Sequence, residues 1–449
     1  MLTTERPKLK ATPGPRLSRL PHIQHLDADT RHEIDVVSAI LPFKVNNYVL
    51  DELIDWDRAP DDPIYRLTFP HRDMLSPELF DGVAALLRSD LARPERTAEI
   101  ARLRMQLNPH PGDQLQANVP QMDDEPVNGL QHKYRETVLV FPGQGQTCHS
   151  YCGYCFRWAQ FIGIADLKQA TPGPDPALGY LRNHREVSDV LFTGGDPMIM
   201  STERLKEYVE PLLDWPYDHV RNLRFGTKAL GYWPYRFTTD TDADELLRFI
   251  ERLSDSGKQV AIMTHFSHPR ELDTTAVRTA IRRLRDAGAI LRAQAPIVRH
   301  VNDDAETWAS MWRTMTHLGI SPYYMFVERD TGASNYFELP LHNAYQVYRD
   351  ALSSVSGLER TARGPVMSAS PGKVIIDGIA DVAGERVFCC RFLQARDPNW
   401  VGRPFFAAFD EQAVWFDDLR PAFGQNWFWD SNSNIDGHPA GTTQTACVI

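Results

Sequence analysis

The chain has 449 residues, enough for one large domain or for two to three ordinary ones with a sizeable core. Its 42% apolar and 24% charged residues are typical of a globular protein, and a net charge of −11 argues against a nucleic-acid partner. No apolar run is long enough to cross a membrane, and no secretory signal is evident, so we expect no membrane partner. The six cysteines are too few for a disulfide scaffold, which favours a cytoplasmic location.

The N-terminal part divides into two predicted segments. Residues 1–30 carry basic residues among prolines, which predicts a disordered leader. Residues 31–130 show helical patterns interrupted by prolines and predict a helical N-terminal region.

Residues 131–374 alternate short apolar runs with helical patterns. One such helix has Thr274 or Asp273 as its N-terminal cap and Gly288 just past its end. Strands joined by helical crossovers predict an α/β fold with a parallel sheet, a partial (β/α)6 barrel. The predicted strands are 137–141, 189–193, 222–226, 259–264, 290–298 and 322–327.

Residues 375–449 lose this alternation and predict a small, separate, partly β tail domain. Cys389 and Cys390 lie there in an apolar run, which favours buried structural cysteines over a second cluster. The sequence assigns no role to Cys447.

Three cysteines, Cys148, Cys152 and Cys155, directly follow the first predicted strand of the barrel. Loops at the carboxyl ends of parallel strands build the active site in βα folds. Closely spaced thiolates hold iron–sulfur clusters, and three thiolates leave one iron of a 4Fe–4S cluster open. The alternative is a structural zinc site with His149 as the fourth ligand, although zinc sites seldom use adjacent ligands.

This segment resembles the radical S-adenosylmethionine superfamily in its C-x3-C-x2-C spacing and in the aromatic Tyr154 before the last cysteine. The resemblance implies that S-adenosyl-L-methionine chelates the open iron. An electron donor such as flavodoxin or ferredoxin would then supply the electron that releases a 5′-deoxyadenosyl radical. Gly194, Gly195 and Asp196 follow the second predicted strand, where the glycines allow close approach to a ligand. We expect Asp196 to accept a hydrogen bond from the amino group of the nucleotide.

Further stretches resemble one branch of that superfamily, the lysine 2,3-aminomutases. The branch uses pyridoxal 5′-phosphate on a lysine after a glycine-rich turn, and the turn Ser370-Pro371-Gly372-Lys373 places Lys373 there. The resemblance covers roughly residues 100–375, at 129–134, 189–197, 264–269, 299–303 and 322–324.

The same resemblance assigns further residues around the cofactors. Arg236 matches an arginine near the cofactor phosphate, and Lys133 and Tyr134 match a further Arg-Tyr pair. We expect His265 to line the mouth of the barrel beside the cofactors rather than to bind a metal ion.

The implied substrate is a small amino acid other than lysine. Arg157 stands where the family holds the substrate carboxylate. Arg329 stands where the lysine enzymes use an aspartate for the substrate amine, and a second such aspartate falls near Ser370. A guanidinium would repel the ammonium of lysine, so we expect an acidic or neutral polar side chain, unless Glu328 or Asp330 neutralises Arg329.

The sequence therefore predicts a radical S-adenosylmethionine isomerase that carries out a 2,3-aminomutase-type reaction. One alternative is a relative without pyridoxal phosphate that acts on another small carboxylate substrate. Another is a zinc or iron–sulfur binding protein without catalysis. The sequence leaves open whether the chain forms a homo-oligomer.

Overall fold

The computed structural model describes residues 7–108, 118–164 and 167–430, so Cys447 lies outside the described residues. Short antiparallel pairs join β1 to β2 and β3 to β4 near the N-terminus. An eleven-stranded sheet, β5 to β15, follows strictly in chain order. The strands of the two short pairs are β1 (Ala11–Pro13), β2 (Lys44–Asn46), β3 (Gln121–Met122) and β4 (Glu125–Pro126).

All six predicted strands are confirmed, with ends that differ from the prediction by no more than two residues. Each pairs in parallel with the next, so their carboxyl ends share one edge of the sheet. The antiparallel β5 (Leu130–Tyr134) precedes them. The six strands are β6 (Thr137–Val140), β7 (Asp189–Phe192), β8 (Asn222–Thr227), β9 (Gln259–His265), β10 (Ile290–Ile297) and β11 (Ile320–Val327).

Amphipathic helices cover the outer face of the parallel strands. In helix Thr275–Asp286, Val277, Ile281 and Leu284 are buried, and the Thr274 side chain caps the first turn. Gly288, just beyond it, has φ of +84°, the left-handed conformation expected after a helix. The α-helices are Ala28–Ile40, Pro63–Thr68, Pro77–Arg88, Arg93–Arg104, Asp175–Asn183, Thr202–Val209, Ala229–Tyr232, Ala243–Asp255, Thr275–Asp286, Ala305–His317, Ser334–Phe337 and Leu341–Ser353.

The predicted disordered leader is wrong for residues 7–30. β1 pairs with β2, and Leu17 and Ile23 are fully buried. They pack in a second hydrophobic core with the N-terminal helices and with Trp158 of the cysteine segment. These two apolar side chains outweigh the prolines and basic residues around them, because their burial stabilises an ordered path.

The described part of the tail is partly β, as predicted, but its strands do not form a sheet of their own. A seventh parallel strand, β12 (Arg363–Ser368), pairs with β11. The antiparallel strands β13 (Gly372–Val382), β14 (Glu385–Ala395) and β15 (Pro404–Ala408) then extend the same sheet. The predicted boundary at residue 375 falls inside β13. Antiparallel strands need no helical crossover, so the loss of the βα alternation did not mark a domain boundary.

Cys390 is buried on β14, as predicted, while Cys389 is partly exposed. Within the described ranges, no helix has the length and hydrophobicity needed to cross a membrane.

Candidate active site

The cysteine loop follows β6 and is held by the N-terminal region. The Tyr151 amide donates to the Lys44 carbonyl at 2.8 Å, and the Gly153 amide donates to the Leu67 carbonyl at 2.7 Å. The Asn46 amide donates to Ser150 Oγ at 2.9 Å. The segment that we predicted to be a helical N-terminal region therefore fixes the backbone between the cysteines.

The Gly194-Gly195 turn packs directly on the loop that leads to Cys148. Gly194 has φ of +135°, and a Cβ added there would lie 2.2 Å from Gln146 Nε2. A Cβ on Gly195 would lie 2.3 Å from the amide nitrogen of Thr147. Only glycine fits at either position, so the two motifs predicted to share the mouth are indeed in contact.

Asp196 is buried and satisfied from within the protein. Its Oδ1 accepts from Thr227 Oγ1 at 2.7 Å and from the Met198 amide at 2.9 Å. Its Oδ2 accepts from the Lys228 amide at 3.0 Å. Burial raises the pKa of this carboxyl to about 6, against the lowering effect of the hydrogen bonds. Asp196 thus fixes the turn, and its contact with the amino group of the nucleotide stays a prediction.

Cys148, Cys152 and Cys155 are each half-buried. Burial raises the pKa of each thiol, that of Cys155 to about 12, and the thiolate charges oppose one another. Lys44, Lys228 and Arg157 favour the thiolate of Cys148, Cys152 and Cys155 in turn. Bound iron deprotonates such thiols outright, so the donor set fits a metal cluster.

Among the described residues, no three His, Cys, Asp or Glu side chains converge closely enough to hold one metal ion. A 4Fe–4S cluster does not need that convergence, because each thiolate binds a different iron. His149 is buried, and burial followed by the charges of Arg236 and Lys44 lowers its pKa to about 3. The donor set therefore fits a cluster, while the neutral ring of His149 leaves the zinc alternative open.

Arg157 and Arg329 approach the same aromatic ring. The guanidinium carbon of Arg157 lies 5.3 Å from the centre of the Phe156 ring and 4.2 Å from that of Phe141. That of Arg329 lies 5.4 Å from the Phe156 ring and 5.4 Å from the Trp415 ring. Two cations predicted to bind the two ends of a substrate therefore lie together.

The guanidinium of Arg157 is buried, and its Nη2 has no hydrogen-bond partner among the described residues. Burial lowers its pKa to about 9, helped by the charge of Arg329. Glu328 is buried as well, its Oε1 lacks a described partner, and burial raises its pKa well above the usual range. The charge of Arg329 favours the ionised form of Glu328 against the effect of burial, so the alternative in which Glu328 or Asp330 neutralises Arg329 stays open.

Arg236 has a structural role that the sequence did not predict. Its Nη1 donates to Asp242 Oδ1 at 2.8 Å, and its Nε donates to the Met198 carbonyl at 2.9 Å. Its Nη2 donates to the Met200 carbonyl at 3.1 Å and also reaches Thr202 and Asp242. The expectation that Arg236 holds a cofactor phosphate is corrected, because all three nitrogens are already engaged.

Lys373 projects from β13 into an aromatic cage. Its Nζ lies 4.7 Å from the centre of the Tyr324 ring and 5.9 Å from those of Tyr134 and Phe326. It also donates to Gln394 Oε1 at 3.0 Å. Burial lowers the pKa of this amine to about 7, so a large fraction is neutral and nucleophilic at neutral pH.

The predicted neighbours of Lys373 are brought together. Lys133 donates to the carbonyl of Ala369, just before the turn, and the Ser370 carbonyl accepts from Arg396 Nε at 2.9 Å. Ser368 is the strand partner of Lys373. The hydroxyls of Ser368 and Tyr134 are both buried, and a side-chain hydrogen bond from Ser368 lowers the pKa of Tyr134 against the larger raising effect of burial. The lysine end of this pocket therefore fits pyridoxal phosphate, whereas the predicted phosphate ligand Arg236 does not.

His265 ends β9 at the barrel mouth, as predicted. Its Nε2 lies 3.1 Å from Gln294 Nε2, and burial lowers its pKa to about 3, so the ring is a neutral acceptor. The sequence analysis missed Lys228, Tyr232 and Glu271. The signal that could have pointed to them is their position next to stretches that resemble the lysine 2,3-aminomutases.

No protein-family model matches the chain. A protein of Aquifex aeolicus (strain VF5), provisionally named L-lysine 2,3-aminomutase, is 31% identical over 399 residues, covering 89% of this chain and 93% of that protein. The L-lysine 2,3-aminomutase of Escherichia coli (strain K12) is 29% identical over 251 residues, covering 56% of this chain and 69% of that protein. The enzyme of that name from Clostridium subterminale is 30% identical, covering 52% of this chain and 53% of its own length.

Among solved structures, a radical SAM methyltransferase from Sphaerobacter thermophilus matches 61% of this chain and 82% of its own, with 17% identity and a TM-score of 0.36. The similarity to the first relative covers nearly the whole length of both chains. The chain belongs to the lysine 2,3-aminomutase-like branch of the radical S-adenosylmethionine superfamily.

Proposed function

We propose that this enzyme moves an amino group between the α- and β-carbons of an amino acid with an acidic side chain, glutamate-like molecules being the first candidates. The observation that carries the proposal is the pair of guanidinium groups that approach the Phe156 ring, one of which, that of Arg157, keeps a nitrogen without a described hydrogen-bond partner. A substrate with a carboxylate at each end would give that nitrogen of Arg157 a partner and would place its second carboxylate beside Arg329.

Cys148, Cys152 and Cys155 would hold a 4Fe–4S cluster, and Gly194 and Gly195 would let S-adenosyl-L-methionine approach it. When bound, these groups supply the radical that abstracts hydrogen from the substrate. The N-terminal region holds the backbone of the cysteine loop in place. The neutral ring of His265 offers a nitrogen for hydrogen bonding at the mouth of the barrel.

Arg157 would hold the α-carboxylate and Arg329 the side-chain carboxylate. A charge-assisted hydrogen bond contributes about 1.5–3 kcal/mol, and a bidentate pair also fixes orientation. Lysine would instead place its ammonium beside a guanidinium that cannot lose its proton. The pair therefore selects by attraction to one class of substrate and by repulsion of the other.

Lys373 would bind pyridoxal phosphate through its amine. The aromatic cage and the low pKa supply a neutral amine, and the cofactor when bound supplies the means for nitrogen migration. Tyr134 and Ser368 would offer their buried hydroxyls to it.

The hydrogen bonds of Arg236 favour one alternative function, that of a relative without pyridoxal phosphate. Because Arg236 is engaged by Asp242 and backbone carbonyls, the phosphate lacks a ligand that the resemblance implied. This favours a relative that uses the same radical chemistry on a small carboxylate substrate without pyridoxal phosphate.

Borohydride reduction of protein incubated with pyridoxal phosphate separates the two. The proposal expects a pyridoxyl label on the peptide containing Lys373, with the label absent from Lys373→Ala and retained in a control variant at the exposed Lys168. Wild-type protein that takes up no pyridoxal phosphate would favour the rival.

A further inference from the structure

A layer of polar side chains lies behind Cys152. The hydroxyl of Tyr232, at the end of helix Ala229–Tyr232, lies 3.4 Å from Cys152 Sγ. An iron-bound thiolate carries no proton, so the phenol must be the donor in this contact. Among the described residues, neither Cys148 nor Cys155 has a side-chain hydrogen bond of this kind to its sulfur. The three cluster ligands are therefore not equivalent.

A buried ion pair extends this layer. Lys228 Nζ lies 4.5 Å from the centre of the Tyr232 ring and 2.7 Å from Glu271 Oε2. The Lys228 side chain is 10% exposed, and that of Glu271 is 0% exposed. A Cβ on Gly231 would lie 2.6 Å from Glu271 Oε2, so the glycine makes room for the carboxylate.

The pair is held rigidly on both sides. Glu271 Oε1 accepts from the Ser267 amide at 3.2 Å, and Lys228 also donates to Ser267 Oγ at 3.3 Å. Ser267 Oγ in turn lies 2.9 Å from the hydroxyl of Tyr154, inside the cysteine motif. A buried cation fixed this firmly acts on the cluster with little screening by solvent.

We propose that Tyr232 and Lys228 set the reduction potential of the cluster from behind Cys152, and that Glu271 positions Lys228 and offsets part of its charge. Reduction adds one electron from the external donor and hence one negative charge. A hydrogen bond to a ligand sulfur and a nearby cation both stabilise that charge and raise the potential. All three are positioning residues, and the inference rests on the cluster ligation in the proposed function.

The test is a potentiometric titration of the reconstituted cluster, followed by electron paramagnetic resonance without S-adenosylmethionine or substrate. Tyr232→Phe and Lys228→Met should each shift the potential to more negative values. Glu271→Gln should shift it to more positive values, because it removes a buried negative charge. The double variant Lys228→Met/Glu271→Gln should lie between its two parents, as opposing charges require.

Tyr217→Phe is the matched control, since Tyr217 is also buried and donates to a carbonyl, that of Leu178, at 3.1 Å. It should keep the wild-type potential. If Tyr232→Phe and Lys228→Met keep the wild-type potential with full iron content, this inference is overturned while the cluster assignment stands. A wild-type protein that binds no iron would overturn the cluster assignment as well, so the two failures are distinguishable.

Discussion

The region around Arg236 and the region around Arg157 both bury a guanidinium near the barrel mouth, but only the first satisfies it from within the protein. Arg236 donates to Asp242 and to backbone carbonyls. Arg157 faces aromatic rings and has a nitrogen without a described partner. Both matched a family pattern in the sequence. The difference teaches that a buried cation indicates a ligand only when the fold leaves it unpaired.

The largest effect should come from the cysteines on the Arg157 side. Replacing Cys148, Cys152 or Cys155 by Ala should abolish formation of 5′-deoxyadenosine under anaerobic, reducing conditions, because each supplies one cluster ligand. Cys389→Ala should leave that formation intact. Formation of 5′-deoxyadenosine at wild-type rates by Cys152→Ala would contradict the assignment of the three cysteines as cluster ligands.

On the other side, Arg236→Met should lower stability, by about 3–5 kcal/mol, because it leaves Asp242 and several carbonyls without their buried partner. Thermal denaturation of the apoprotein measures this. A variant with unchanged stability and lost pyridoxal phosphate binding would reverse the comparison and restore Arg236 as a cofactor ligand.

Arg157→Met should behave in the opposite way. We expect substrate binding to weaken by about 1.5–3 kcal/mol, roughly ten- to a hundred-fold, because a charged hydrogen bond is lost. The apoprotein should keep or gain stability, because an unpaired buried charge is removed. Calorimetry with the substrate and thermal denaturation without it report the two effects. A large loss of apoprotein stability would show that Arg157 is structural.

The smallest effect concerns the pH dependence of Lys373. Burial, followed by the charges of Arg224 and Arg363, lowers the pKa of its amine to about 7 in the folded protein, whereas an unfolded lysine titrates near ~10.4. Between these values the unfolded chain binds more protons, so this group makes stability rise with pH across that window. The loss of stability caused by burying the charged Lys373 amine reaches its full size below about pH 7.

Lys373→Met should therefore stabilise the apoprotein most below about pH 7, with a gain that shrinks toward pH 10. The exposed Lys168→Met should show no such trend in melting temperature. A pH-independent gain would mean that the Lys373 amine is solvated and unsuited to holding a carbonyl cofactor.

The sequence predicted the parallel strands and the cysteine and glycine motifs because periodicity and spacing are local signals. It did not reveal that the strands after residue 375 continue the main sheet, since antiparallel strands such as β13 join a sheet without helices. It also missed the role of Arg236, whose partner Asp242 is close in sequence but whose carbonyl partners are not. The contact between Tyr232 and Cys152 joins residues far apart in the chain, which no local pattern reveals.

Substrate choice tests the central claim most directly. Wild-type and Arg329→Asp proteins are reconstituted anaerobically with S-adenosylmethionine and pyridoxal phosphate, then given glutamate or lysine. Mass spectrometry follows 5′-deoxyadenosine and the amino-acid isomer. We predict that the wild type forms both products with glutamate and neither with lysine, and that Arg329→Asp loses its activity toward glutamate. Robust turnover of free lysine by the wild type would contradict the account.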